Sequence, residues 1–180
     1  MTSCNRPKQP IMTPEQERFM AFEGVLQWAQ AVIRQAERLS PLYQANRFAA
    51  PDQEKRHRAI LELHTECHYF ATAAHQFIQY RNWARTFGLF PSIDFTEIDQ
   101  LAAHLKDLRN MREHVIDYFS GVGQQHHRWR HKTPDSEADA SSLSGTLIGG
   151  RLDWKAFAAA VRYIEPGLWA EPIPFPSTRP

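Results

Sequence analysis

Three stretches of this chain carry apolar side chains at alternating spacings of three and four residues, and that periodicity restricts the fold more than any other feature. From Asp52 to Trp83 there is neither glycine nor proline, and Ile60, Leu63, Cys67, Phe70, Ala74 and Phe77 fall on one stripe. The pattern predicts a helix of about 30 residues, roughly 45 Å at 1.5 Å per residue. That is long enough to bend, or to project beyond its neighbours into a partner. Ahead of it, Thr13-Pro14-Glu15-Gln16 has the form of a helix start: Thr13 as cap, Pro14 at the first helical position and Gln16 completing a capping box. Phe19, Phe22, Leu26, Ala29, Ile33 and Ala36 then continue one stripe to Ser40-Pro41, where the helix is expected to end.

Gly88 and Pro91 interrupt the pattern, and Asp94 to Glu97 offers a second capping box. Ile98, Leu101, Leu105, Leu108, Val115 and Phe119 predict a third long amphipathic helix, stopped by Gly121 and Gly123. Asp153 is placed to cap a shorter fourth helix from Trp154 to Ile164, ended by Pro166-Gly167. Each helix has one face to bury, and the connections suit antiparallel neighbours. The expected fold is therefore all-α, an up-and-down helical bundle of about four helices. It occupies residues 13–170, between a disordered leader at 1–12 and a Pro-rich tail at 171–180. Ser-Gly and Gly-Gly punctuation around Thr146-Leu147-Ile148 leaves room for a short β-hairpin near 141–151, and residues 124–138 read as a polar loop.

Composition excludes several classes. Lys plus Arg number 21 and Asp plus Glu 20, so the chain is no general basic coat for nucleic acid, and any such contact must come from a local patch. Two cysteines, Cys4 and Cys67, make no disulfide framework and fit a reducing compartment. No apolar run approaches the roughly 18 residues of a membrane span, and the polar N-terminus has no apolar signal-peptide core. The expected location is cytoplasmic, with no membrane partner. There is no phosphate-cradling glycine loop and no serine elbow.

One short motif carries chemistry. In Arg109-Asn110-Met111-Arg112-Glu113-His114, an arginine stands five positions before a histidine. A histidine can take a proton from a ribose 2′-hydroxyl or give one to the leaving oxygen. An arginine presents a planar fork to phosphate and stabilises charge as it develops. Asn110 can position either group. Such chemistry needs no metal or other cofactor. Five residues sweep about 500° of helix, so Arg109 and His114 point roughly 140° apart on a regular helix. A local distortion, or a site shared by two protomers, would bring such groups to one phosphate.

With Arg109, Asn110 and His114 so spaced on a helix of a helical bundle, the chain resembles the HEPN superfamily of helical ribonucleases. The signature of that superfamily is an arginine, four to six intervening residues and a histidine, often with a polar residue after the arginine. The resemblance implies a homodimer in which two motifs meet in a cleft and cut RNA without metal, in many members leaving a 2′,3′-cyclic phosphate. It also implies a toxin or defence role, with an antitoxin or another partner protein. It covers the motif and the bundle outline. Arg58 and His64 also fit the spacing but lack the polar residue after the arginine. Some members carry a tyrosine two positions after the histidine; here that position is Ile116, and the nearest tyrosine is Tyr118.

Two further clusters stand out. Residues 124–132 join Arg128, Arg130 and Lys132 to Trp129 and three histidines, a composition able to grip phosphate and stack a base. His64, His68 and His75 fall within about 40° of one another on the second helix, with His104 or Asp107 as conceivable further metal ligands. His75 lies about 10 Å further along the axis, so one ion cannot take all three, and histidines flanking an apolar stripe explain them without a metal. The alternative to an enzyme is a non-catalytic helical interaction module, working through the long second helix and the Pro-rich tail.

Overall fold

Thr13 and Gln16 close the expected capping box: the Thr13 N–H donates to Gln16 Oε1 at 2.9 Å and the Gln16 N–H to Thr13 Oγ1 at 3.2 Å. The helix they open is α1, Pro14–Arg47. The computed structural model describes residues 12–47, 52–120, 130–133 and 136–175. Most of the leader, the glycines at 121 and 123 and the end of the tail lie outside these. α1 does not end at Pro41. A proline inside a helix removes one hydrogen bond and costs about 3 kcal/mol, but the turn beyond it carries Leu42 and Tyr43 onto the core. The Tyr43 ring meets Trp154 edge-on at 6.1 Å, and Lys155 Nζ lies 4.9 Å from its centre.

α2, Gln53–Thr86, is as long as α1, at 34 residues. Asp52 caps it, accepting from the N–H groups of Glu54 and Lys55. Leu63, Cys67, Phe70, Ala74 and Phe77 form its buried stripe, as the spacing predicts. Gln35 bonds the Glu66 carboxylate, and Gly24 lies against the Tyr80 ring, so α1 and α2 run antiparallel.

The expected third helix is three pieces: α3 (Thr96–Leu101), α4 (Leu105–Glu113) and α5 (Val115–Phe119). Asp94 does not cap. Its Oδ1 accepts both the N–H and the hydroxyl of Thr96, and Phe95 occupies the N-cap position. The breaks follow from packing, because α3 lies on the last helix while α4 lies on α2. One straight rod could not serve both neighbours. Turns at Ala102–His104 and at His114 redirect the chain.

The stretch 124–138, read as a polar loop, holds β1 (Arg130–Thr133) and most of β2 (Ser136–Asp139), an antiparallel pair with Arg130 opposite Asp139. Ala138 is its one apolar side chain, so no apolar alternation announced it; Glu137 on β2 draws in Arg130 at 3.2 Å and Lys132 at 3.6 Å. The expected hairpin near 141–151 is present as β3 (Leu143–Ser144) and β4 (Leu147–Ile148), with β5 (Leu152–Asp153) added on β4. Gly149, at φ 59°, has no room for a side chain, since a Cβ there would sit 2.5 Å from a Leu108 methyl.

Asp153 caps the last helix, α6 (Trp154–Ala170), accepting from Lys155 and Ala156 N–H, and also takes the Thr146 hydroxyl at 2.8 Å. α6 runs through Pro166 because Leu168, fully buried, anchors the turn beyond it. Contacts of Gln30 with Glu165 and of Glu37 with Arg162 set α6 antiparallel to α1. Phe22, Phe70, Phe77, Phe157, Leu39 and Leu108 fill the interior between these helices. Among the described residues no helix is long and apolar enough to cross a membrane.

Candidate functional site at the α2/α4 seam

α4 lies antiparallel on α2, and an arginine locks the register. Arg112 Nη2 donates to the His64 carbonyl at 2.8 Å, and Nη1 to the Ala140 carbonyl at 2.6 Å. One side chain thus joins α2, α4 and the end of β2. Near one turn earlier on α4, Arg109 is half-buried beside the same face of α2. Its Nη2 pairs with Glu113 at 2.5 Å, and its Nη1 donates to Asn110 Oδ1 at 3.2 Å. Its Nε is buried and has no hydrogen-bond partner.

His114 is wired separately. Its N–H closes the last α4 hydrogen bond, to Asn110 O at 3.0 Å, and the chain turns there into α5. The imidazole is 62% exposed, with Nδ1 3.6 Å from Asp117 Oδ2, an ion-pair rather than a hydrogen-bond distance. The motif is therefore divided within one chain. Arg109 and Asn110 sit together in the seam, and His114 stands with Asp117 at the surface beyond it.

The three α2 histidines face this seam, opposite two cations. Burial depresses the pKa of His64, His68 and His75; Arg112 lowers the first two further, and Arg109 acts on His68 and His75. His75 Nδ1 is buried without a hydrogen-bond partner. α4 brings Arg109, Arg112 and Glu113 to these rings, and the two arginines repel a cation. Among the described residues no three His, Cys, Asp or Glu side chains gather where a metal ion could be held. Cys67 is buried, which pushes its thiol up to about 11, so it stays protonated at neutral pH.

Beside the seam opens a cavity of about 580 Å³ between α2 and α4–α5. Leu61, His64 and Tyr69 line its α2 wall, Arg112 and Val115 the opposite wall, and Asp139 at the end of β2 closes one side. Burial would raise the Asp139 carboxyl, but hydrogen bonds from Ser141 and Ser142 and the charge of Arg112 outweigh it and hold the pKa below the usual range. Arg128 and Trp129 of the basic cluster lie outside the described residues. Arg130 and Lys132 are exposed on β1, both paired with Glu137, and Arg130 lies across the ladder from Asp139 at the cavity rim. Arg58 is exposed and pairs with Glu54 at 2.6 Å, while His64, its partner in the alternative motif, lines the cavity.

Sequence reasoning missed Arg112, Tyr69 and Asp139. Arg112 bonds main-chain oxygens 48 and 28 residues away, contacts that no local spacing encodes. The chain matches no protein-family model, no curated protein and no solved structure. The resemblance to the HEPN superfamily thus rests on the motif and the helical outline.

Proposed function

We propose that the chain is a HEPN-like, metal-independent endoribonuclease, acting in the cytoplasm in a toxin or defence role, with a site shared by two copies. The observation that carries this reading is His114 itself. It is a solvent-facing imidazole whose Nδ1 stands beside a carboxylate, while Nε2 has no partner among the described residues. The Asp117 carboxylate stands on the Nδ1 side of the ring, and Nε2 is left to exchange a proton with RNA. The 2′-oxygen, once deprotonated, attacks the adjacent phosphorus; the 5′-oxygen leaves and takes a proton. The products are a 2′,3′-cyclic phosphate and a 5′-hydroxyl. Arg109, steadied by Asn110, neutralises the phosphate as negative charge builds on it. Its partners within the chain differ from those of His114, which is why two copies are invoked.

The test is incubation of wild-type and His114→Ala protein with mixed RNA in EDTA, followed by end-group analysis. Cyclic-phosphate ends from the wild type are expected, with loss of about 10²-fold or more in the variant and unchanged helical content. Equal cleavage by both removes His114 from the chemistry. A second reading, a non-catalytic interaction module, is favoured by the engagement of Arg109 with Glu113 and by the exposed apolar side chains Leu61, Tyr69 and Val115 that line the cavity. Absence of cleavage by the wild type would turn the assignment to that module.

A further inference from the structure

We propose that the cavity between α2 and α4–α5 receives one nucleobase of the RNA, stacked on Tyr69, and prefers bases bearing an exocyclic amine over uracil. The inference rests on the RNA reading above and extends it to a determinant of base preference.

The walls suit a flat ring. Leu61, Thr65 and Tyr69 follow one another at four-residue steps on α2, so they form one edge of the cavity. Met111 and Val115 form the facing edge at the same spacing. Tyr69 is 53% exposed and braced by His68, which meets its ring edge-on at 5.9 Å. An aromatic face open to solvent yet held from behind is a stacking platform. The volume lies within the roughly 300–1,000 Å³ typical of small-ligand sites.

The polar end supplies the preference. Asp139 Oδ1 is occupied by three donors: the Ser141 N–H at 2.8 Å, the Ser141 hydroxyl at 2.6 Å and the Ser142 N–H at 3.0 Å. Oδ2 carries no hydrogen bond among the described residues and is the remaining acceptor. Adenine, cytosine and guanine each carry an amine that can donate to it; the one ring N–H of uracil is flanked by two carbonyl oxygens, which an ionised carboxylate repels. This also separates a base from an apolar side chain of a protein partner, which would bury the Asp139 carboxylate against hydrocarbon without a donor. Position ties the cavity to the proposed chemistry, because Val115, on its wall, directly follows His114. Arg130, paired with Glu137, stands opposite Asp139 across the β1–β2 ladder at the rim of the cavity.

The experiment is titration of the full-length protein with AMP, CMP, GMP and UMP separately, followed by amide chemical shifts in heteronuclear NMR, with RNA cleavage measured in parallel. Saturable shifts at Tyr69, Val115 and Ser141 are expected with AMP, CMP and GMP, and UMP should bind at least about threefold more weakly. Tyr69→Ala, a change at an exposed position, should weaken binding about tenfold. Asp139→Asn keeps the Oδ1 acceptor and replaces Oδ2 with a donor, so it should reverse the order of CMP and UMP. The proposal is overturned if no mononucleotide shifts these amides, if Tyr69→Ala binds as the wild type does, or if UMP binds equally well. Cleavage without mononucleotide binding would remove the base site and leave the ribonuclease; binding at these amides without cleavage would do the reverse.

Discussion

Arg81 is 3% exposed on α2, and its guanidinium meets both carboxylate oxygens of Asp99 on α3 while lying 5.3 Å from the Phe95 ring centre. A cation so far from water is tolerable only because it is paired. Asp99 itself stays 42% exposed, so it can recover solvent if abandoned. Arg81→Ala is therefore expected to cost about 3 kcal/mol, the lower end of the range for breaking a buried pair, and Arg81→Met less, because it keeps the packing. Urea unfolding of both variants checks this; equal losses would show that the ion pair rather than the packed stem dominates. The hydrogen bonds from Arg81 hold the Asp99 pKa below its ordinary 3.8. The stability this lends is present above that value and is lost as pH falls through the lower folded one.

At the scale of elements, the seam between α2 and α4 sets the response to mild acid. His64, His68 and His75 all have pKa values below their ordinary 6.5 in the fold, chiefly through burial. Unfolding releases them to bind protons more readily, so the unfolded state holds more protons below about pH 6.5. Stability is full above that pH and declines as pH falls from it towards the lower folded values. A drop in Tm of about 3 °C between pH 7 and 5.5 is expected, partly removed by His75→Gln; a flat Tm over that interval would mean that the seam admits protonated rings at no cost. The seam also shows what was legible beforehand. Helix starts at Thr13 and Asp153 could be read because a cap binds N–H groups two or three residues away. The ends at Pro41 and Pro166 could not, because Tyr43 and Leu168 draw their helices onward through contacts with distant elements. The apolar stripe of the third helix was correct residue by residue at Ile98, Leu105 and Leu108. Its division among α3, α4 and α5 depends on two different neighbours, which one-dimensional spacing does not reveal. The site divides in the same way. Arg109, Asn110 and His114 stood out as a local pattern, whereas the cavity beside them is assembled from residues 61 to 141.

For the whole molecule, the divided motif makes a prediction about assembly. If Arg109 of one copy serves His114 of the other, a twofold dimer contains two such sites. Mixing inactive Arg109→Ala and inactive His114→Ala chains leaves one intact site in each mixed dimer. Half the dimers are mixed under random exchange, so about one quarter of wild-type cleavage should return, since the sites of a twofold dimer are equivalent. The measurement is RNA cleavage after co-refolding the two variants. A mixture as inactive as its components would confine the chemistry to a single chain.

Arg112 has a consequence for how sequences with this fold can drift. Its two acceptors, at residues 64 and 140, are main-chain oxygens, which every amino acid possesses. The clamp therefore imposes no vocabulary on those two positions. At 140, which is 6% exposed, space alone limits the choice, and at 64 even that limit is relaxed because the residue is exposed. Position 112 has no such latitude, since lysine offers one ammonium where two carbonyls on separate elements need a fork. The cavity wall can change its chemistry, and with it what it recognises, while the joint that shapes the cavity stays the same.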